Sequence, residues 1–244
     1  ALWLTAGVGE ADDVLGKLFK ELGSALDEVS KLVLTLLYET HREEPKSRLW
    51  PYFCSLPLNV PLPFMWEEGQ LPPDFKKDTF LVDQRLKYKV LVDTTGERLL
   101  GKVLASPLKP FTEVQLTPSK WAWAYSVVLS RATAVLREKK GAPPTLANTT
   151  AFKDADHLLA VAEGKASGQG KEGFAELALI PGIDMLNHGE GGEEGVAELE
   201  IKGGFATLTS GKGVLTRGEE VMIAYGGPEW CGVRPLNTHA FIAP

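Results

Sequence analysis

Helical and strand patterns are separated along this chain, and this separation limits the folds it can adopt more than any other feature. From residue 14 to 37 apolar side chains recur every three or four positions, which predicts one amphipathic helix, or two helices divided at Gly23. Residues 196–202 and 205–209 instead alternate apolar and polar side chains, which predicts two strands joined at Gly203-Gly204. Because helices come first and short strands last, the chain is predicted to have an α+β fold.

The middle of the chain carries three further patterns. Residues 49–75 are dense in proline and aromatic residues, which predicts ordered irregular structure packed on a core, since proline cannot continue a helix. Residues 79–108 fit either a hairpin that turns at 94–96 or a helix, and we favour the helix. Residues 137–177 are rich in Lys, Gly, Ala and Ser and predict a surface excursion or a partly mobile loop.

A further helix is predicted to begin at Thr117, which can cap it, with Pro118 at the first helical position. Its apolar positions form one buried stripe, made of Trp121, Ala124, Val128 and Val135. Arg131 falls on the same stripe. A cation on a core-facing stripe needs a route to water or a partner, so Arg131 either snorkels at the edge of the stripe or meets an anionic ligand.

Composition limits the class of partner. A net charge of −6 argues against binding nucleic acid through the whole surface, so no direct nucleic-acid partner is predicted. The two cysteines, Cys54 and Cys231, are too few for a disulfide scaffold and favour a reducing compartment, such as a plastid, the cytoplasm or the nucleus. No apolar run approaches the roughly 18–20 residues of a membrane span, so none is predicted.

The segment "LIPGIDMLNH", residues 179–188, places three polar side chains in an otherwise apolar run: Asp184, Asn187 and His188. In a purely structural interpretation Asp184 caps a helix and His188 is a core histidine with its hydrogen bonds satisfied. Asp184 and His188 are also four residues apart, as two metal ligands on one helix face would be. No third ligand stands at a recognisable spacing, so no metal site is predicted.

Two other local features bear on function. Gly7 and Gly9 form a Gly-x-Gly pattern, but without a third glycine in a strand–loop–helix unit we interpret them as a loop between a strand and a helix rather than a nucleotide site. Residues 221–224 predict a last buried strand after a turn at Arg217-Gly218. That strand ends at Tyr225, where two glycines allow other backbone to approach closely.

Several motifs, taken in order, resemble SET-domain protein methyltransferases. The resemblance is to the branch that contains the Rubisco large-subunit lysine methyltransferase and the actin-histidine methyltransferase. "LIPGIDMLNH" and, about thirty residues later, "GEEVMIAYG" resemble the paired C-terminal signature. "ALWLT" resembles the last strand of the N-terminal SET half, "SRLWPYFCSLP" the "W-x-PY…LP" segment, and "WAWAYSVVLSRA" a helix of the inserted subdomain. The match runs from Ala1 to about Phe241.

The resemblance implies a SET β-fold built from residues 1–12 and 178–244, with a knot-like C-terminal segment, interrupted by a mainly helical insert at 13–177. It implies S-adenosylmethionine as the cofactor and a protein as the substrate, methylated on a lysine or a histidine nitrogen. The implied cofactor-site residues are Arg131, Asp184, Asn187 and His188. Tyr225 matches the tyrosine beside the methyl-transfer channel and is the implied catalytic residue.

The chain departs from the family pattern at both ends. It begins where the N-terminal SET half is expected to be ending, so the family's own Gly-x-Gly strand would lie upstream of Ala1. After Tyr225 the family's Ser-Asn pair is replaced, and Gly189 stands where the family has serine. These departures fit either a fragment of a longer enzyme or a non-catalytic SET-like scaffold subunit of a larger complex. The aromatic residues of 50–53 and 63–66 are expected to pack within the fold, but if exposed they would form the surface through which the scaffold docks.

Overall fold

A computed structural model describes the chain over most of its helical part and over its main strands. The described residues are 3–42, 47–137, 145–146, 174–189, 196–202, 205–210 and 217–223. Within these ranges both helices and sheets are present, which confirms the predicted α+β class. None of the helices in this part of the chain is long and apolar enough to cross a bilayer.

The described elements follow the predicted order of helices first and strands last, apart from one short first strand. The helices are α1 (Ala6–Ala11), α2 (Leu15–Leu22), α3 (Glu28–His41), α4 (Trp50–Ser55), α5 (Pro73–Lys77), α6 (Thr79–Ala105) and α7 (Pro118–Arg131). The strands are β1 (Leu4–Thr5), β2 (Thr133–Arg137), β3 (Thr145–Leu146), β4 (Phe174–Leu179), β5 (Asn187–His188), β6 (Val196–Lys202), β7 (Phe205–Ser210) and β8 (Met222–Ile223).

Of the two alternatives for residues 14–37, the structure shows two helices divided at Gly23. Gly23 ends α2 with a φ of 51°, a conformation that glycine adopts without steric strain. The chain then turns, and Asp27 caps α3 by accepting a hydrogen bond from the backbone N–H of Ser30 at 2.7 Å. Helix α3 is buried on most of its surface, so it forms the centre of the helical core.

Residues 79–105 form one helix, which confirms the favoured interpretation and makes the hairpin wrong. The glycine that suggested a turn serves close packing instead. A Cβ on Gly96 would lie 2.9 Å from the Trp121 ring of α7, so only glycine fits where the two helices meet. The Trp121 indole N–H also donates to the backbone oxygen of Val92 at 3.1 Å, which fixes α7 against α6.

The proline-rich stretch packs on the core as predicted, but it contains short helices where irregular structure was expected. Helix α4, a 3-10 helix at Pro63–Met65 and α5 each have a proline in the first turn, where a missing N–H breaks no helical hydrogen bond. Buried Arg85 of α6 holds this stretch in place. Its Nε donates to the backbone oxygen of Pro63 at 3.1 Å, and its Nη2 to that of Trp66 at 2.6 Å.

Helix α7 begins as predicted, with the Thr117 hydroxyl accepting from the backbone N–H of Lys120 at 3.2 Å. The prediction that Val135 extends its buried stripe is wrong. The helix ends at Arg131, and Val135 is buried in β2, opposite Glu176 of β4. Thr133 and Val135 are β-branched, which favours a strand, and β4 supplies the hydrogen-bonding partner. Most of the predicted surface excursion at 137–177 lies outside the described residues, although β3 within it pairs with β2.

The strands of the described ranges form two four-stranded sheets. The first has the order β1-β4-β2-β3 and is antiparallel throughout. The second has the order β5-β8-β6-β7, in which β8 pairs parallel with both β5 and β6. The predicted hairpin of β6 and β7 is confirmed, with Leu199 opposite Leu208. The predicted knot-like arrangement, in which the segment 179–188 threads under a loop formed by the C-terminal strand, involves residues beyond 223 that lie outside the described residues. It stays a prediction, as do the boundaries of the insert.

The Gly-x-Gly pattern lies inside α1, so the prediction of a loop at Gly7 and Gly9 is wrong. The two glycines differ in their surroundings. A Cβ on Gly9 would clash with Thr35 Oγ1, whereas a Cβ on exposed Gly7 would have Thr5 Oγ1 as its nearest neighbour, at 3.4 Å. Gly9 therefore allows α1 to approach α3, and Gly7 has no such role.

We expect Gly9→Ala to destabilise the fold by about 1–3 kcal/mol, the usual cost of forcing an extra carbon into a packed interior. Thr35 cannot easily yield, because it is buried and its hydroxyl donates to the Lys31 backbone oxygen at 2.7 Å. The matched variant Gly7→Ala should be neutral or stabilising by up to about 1 kcal/mol, since alanine favours helix. Urea unfolding measures both, and equal effects would show that α1 does not depend on this close approach.

Candidate functional site

Arg131 and Asp184, two of the residues predicted to share a site, are in contact. Arg131 is the last residue of α7, and Asp184 lies in the turn that follows β4. The Arg131 Nη1 donates to the backbone oxygen of Asp184 at 2.9 Å and lies 3.6 Å from its carboxylate Oδ2. The cation on the apolar stripe of α7 therefore has an anionic partner, and that partner is part of the protein.

The turn that carries Asp184 is built by backbone hydrogen bonds. The N–H groups of Ile183 and Asp184 both donate to the Ile180 oxygen, at 3.1 and 3.2 Å, and Gly182 has a φ of 88°. Because this segment is a turn followed by a strand, Asp184 neither caps a helix nor shares a helix face with His188. Both of those interpretations are wrong. Across the described ranges no three His, Cys, Asp or Glu residues are grouped to hold a metal.

Sequence reasoning missed Tyr52 as a member of this site. Tyr52 lies in α4, and its hydroxyl donates to Asp184 Oδ2 at 2.8 Å. The residue is only 7% exposed, and a buried tyrosine hydroxyl usually finds a polar partner. The apolar residues around Tyr52 in the sequence indicate a buried tyrosine, and therefore a polar partner for its hydroxyl. They do not indicate which residue that partner is, because it lies 132 residues away.

The Asp184 carboxylate is a buried charge with incomplete compensation. Its side chain is 0% exposed, and burial raises its pKa above the ordinary value for aspartate. The Tyr52 hydroxyl, the Arg131 guanidinium and the nearby backbone amides of Gly182 and Asp184 partly oppose that rise. Asp184 Oδ1 and Arg131 Nε are both buried and have no hydrogen-bond partner of normal geometry among the described residues. Burial and the neighbouring carboxylate also raise the pKa of Tyr52.

Asn187 and His188 form β5, directly after this turn. Asn187 pairs with Met222 of β8, and its exposed side chain donates from Nδ2 to Glu220 Oε1. Glu220 was not predicted as a site residue, although it stands in the "GEEVMIAYG" motif. The structure describes the backbone of His188 but not its side chain. Tyr225 lies outside the described residues, so its predicted position stays a prediction.

Gly189, which stands where the resembling family has serine, is enclosed between two strands. A Cβ on Gly189 would lie 2.6 Å from Val196 Cγ2 and 3.0 Å from the Met222 Cβ. Its backbone N–H donates to the Ile223 oxygen at 3.1 Å, which continues the pairing of β5 with β8. The change from serine to glycine therefore has a packing reason in this chain.

Comparison with known proteins shows which fold this is. No protein-family model matches the sequence, and no curated protein matches it. Among solved structures, the chain is similar to the SET domain of LSMT bound to lysine and AdoHcy, with a TM-score of 0.60 and 18% identity. It is also similar to Rubisco LSMT bound to sinefungin and monomethyllysine (0.59, 18%) and to Rubisco LSMT bound to AdoMet (0.55, 19%).

Each of these similarities covers 100% of this chain but only 45–46% of the other, so the chain spans less than half the length of the structures it matches. The described part of the chain has the SET-domain fold, which confirms the fold implied by the sequence motifs. The Arg131–Asp184 contact and the β5–β8 pairing therefore lie in a SET fold.

We expect the stability of the Asp184→Asn variant, relative to wild type, to improve as pH rises from about 4 towards 7. Because the pKa of Asp184 is raised on folding, the folded state binds more protons than the unfolded state above the unfolded-state pKa. Wild-type stability from this group is therefore present at low pH and is lost as pH rises through the folded-state pKa. The asparagine of the variant does not titrate, so the stability of the variant does not fall with pH for this reason.

Urea unfolding of wild type and variant over this pH range measures the difference. The Asp74→Asn variant is the control, because the Asp74 side chain is 95% exposed. It shows how the same substitution at the surface changes stability with pH. A difference between wild type and Asp184→Asn that stays constant with pH would mean that Asp184 does not titrate differently in the folded state.

Proposed function

We propose that this chain belongs to an S-adenosylmethionine-dependent protein N-methyltransferase that acts on a lysine or a histidine side chain. One observation carries the proposal. Arg131 and Asp184 come from two motifs 53 residues apart and meet with their polar atoms 2.9 Å apart, inside a SET fold. Asn187 follows three residues later with its side chain exposed.

The described residues suit a polar, charged small molecule. Asp184 Oδ1 and Arg131 Nε are one buried acceptor and one buried donor without a partner among the described residues, and such groups are expected to be satisfied by protein, water or ligand. The exposed amide of Asn187 offers a further donor and acceptor at the start of β5. We assign Arg131, Asp184, Asn187 and His188 to the cofactor site, as the sequence motifs implied.

When bound, S-adenosylmethionine supplies a methyl group that its sulfonium has already activated, so the protein needs neither a nucleophile nor a metal. The contribution of the protein is alignment of the incoming nitrogen with the methyl carbon and the sulfur. We assign to the Tyr225 hydroxyl the role of orienting that nitrogen. A channel from which water is excluded favours the neutral amine, because burial disfavours the charged form of lysine.

The scaffold alternative loses its suggested docking surface, while the departures from the family pattern that motivated it remain. The aromatic stretches proposed as its docking surface contain Tyr52, Phe53 and Phe64, and all three are buried against the helical core. Their burial supports the interpretation in which the stretch stabilises the fold and contributes Tyr52 to the site.

Calorimetry with S-adenosylmethionine on the full-length protein tests the cofactor assignment. We expect binding in the micromolar range, and we expect Asn187→Ala to weaken it about tenfold, the equivalent of one good hydrogen bond. Lys89→Ala, on the exposed side of α6, should leave the affinity unchanged. A well-folded protein that binds no S-adenosylmethionine and co-purifies in a stable complex would instead support the scaffold.

Replacement of Tyr225 by Phe tests the catalytic assignment, since it removes one hydroxyl and keeps the ring. We expect kcat to fall by about 100-fold or more, with the affinity for S-adenosylmethionine within about twofold of wild type. The assay follows transfer of a labelled methyl group to a peptide array that presents lysine and histidine acceptors. Tyr38→Phe, in α3, is the matched control. Equal loss of turnover and affinity, or of neither, would show that Tyr225 is only structural.

A further inference from the structure

We propose that Tyr52 is a positioning residue of this site. Its hydroxyl holds the Asp184 carboxylate, and through it the segment 180–189, in the orientation that presents Asn187. This inference rests on the proposed function, because it assigns Tyr52 a role in the same cofactor site. The sequence motifs by themselves assign Tyr52 no such role.

The contact has the geometry of a strong hydrogen bond in a buried setting. The Tyr52 hydroxyl lies 2.8 Å from Asp184 Oδ2, and both side chains are buried. Hydrogen bonds to an ionised acceptor are shorter and stronger than those between neutral groups. Within the described residues, Tyr52 is the only side chain that donates a hydrogen bond of normal length to this carboxylate.

Arg131 does not duplicate this function, because it contacts a different part of Asp184. Its Nη1 hydrogen-bonds the backbone oxygen at 2.9 Å, while its distance to Oδ2, 3.6 Å, is beyond a normal hydrogen bond. Arg131 therefore fixes the backbone of the turn, and Tyr52 fixes the side chain. Fixing both points prevents the residue from rotating about its bonds to the main chain.

The position of Asp184 transmits this constraint to the site. Only Met185 and Leu186 separate it from Asn187, and the Leu186 N–H is itself bonded to the Ile183 oxygen at 3.2 Å. The segment is held at its far end by the pairing of β5 with β8. Loss of the Tyr52 contact therefore leaves one end of this short segment held through the Asp184 backbone but not through its side chain, while the other end stays anchored. Asn187 lies within that segment.

Packing alone does not require the Tyr52 hydroxyl. The Tyr52 ring contacts the Phe53 ring with centroids 5.7 Å apart, and a phenylalanine at position 52 would keep that contact. The variant Tyr52→Phe thus removes the hydrogen bond and preserves the shape. Tyr38→Phe is a matched control, since the Tyr38 hydroxyl also faces an aspartate, Asp12, but lies in α3 and outside the site.

The test combines the pH dependence of cofactor affinity with hydrogen exchange, both on the full-length protein. Within the described residues, the ionisable groups that face Asp184 are Tyr52 from α4 and Arg131 from α7. Protonation of Asp184 removes its attraction to Arg131, so affinity for S-adenosylmethionine should fall on the acid side. Loss of the Tyr52 donor makes protonation easier, and we expect the midpoint of that fall to move up by about one pH unit in Tyr52→Phe.

The same shift should be absent when Tyr52→Phe is made in the Asp184→Asn background, because no carboxylate then remains to titrate. Amide exchange in residues 180–189 without cofactor should become about tenfold faster in Tyr52→Phe and stay unchanged in Tyr38→Phe. Faster exchange without a shift in the midpoint would overturn the proposal, because it would make Tyr52 only structural. A shift that persists in the double variant, or unchanged exchange, would overturn it too.

Failure of the proposed function gives a different result. If the wild-type protein bound no S-adenosylmethionine, the cofactor assignment would be wrong. The exchange measurement, which uses no cofactor, would then decide alone whether Tyr52 holds the segment.

Discussion

The strand β4 contributes to two hydrophobic cores, and the position of the candidate site depends on this. Side chains alternate across a strand, so Leu177 and Leu179 point into the helical core while Ala178 and Ile180 point into the core of the sheets. Burial on both faces explains why the sequence of β4 is apolar almost without interruption. The chain leaves β4 directly into the turn that carries Asp184, so the turn is placed at the junction between the two cores.

The buried Asp184 carboxylate at this junction needs polar or charged partners, because it is shielded from water. The helical part of the chain supplies two of them. Tyr52 comes from the start of the proline-rich stretch and Arg131 from the last position of α7, and each contacts a different group of Asp184. Removing one partner of a buried ion pair usually destabilises a protein by several kcal/mol, because the other charge stays buried. The site therefore joins the helical part to the sheets as well as presenting polar groups, and changes at Asp184 should affect stability and binding together.

The sequence was informative where a signal is local. The break at Gly23 and the cap at Thr117 depend on neighbouring residues, and the alternation in β6 and β7 reports a half-buried strand directly. Val135 was misassigned because it lies seven residues after Val128, a spacing that also fits the next two turns of a helix. The pairing with β4 that makes it a strand joins residues about forty positions apart. The Tyr52 contact spans a still greater separation, so composition and periodicity could not reveal it.

Arg131 shows how a local anomaly can indicate a site before its partner is known. An arginine on a buried stripe requires compensation, and the choice between water, ligand and protein is made by tertiary structure. In this chain Asp184 contacts the Nη1 atom of the Arg131 guanidinium. The Nε atom of Arg131 has no hydrogen-bond partner in the described part of the fold. The same holds for Asp184 Oδ1 on the other side of the pair. Within the described part of the fold, the Asp184 carboxylate is compensated by Tyr52, Arg131 and the backbone amides of Gly182 and Asp184. Three separate segments of the chain, α4, α7 and the turn after β4, therefore have to come together before this buried carboxylate is stabilised.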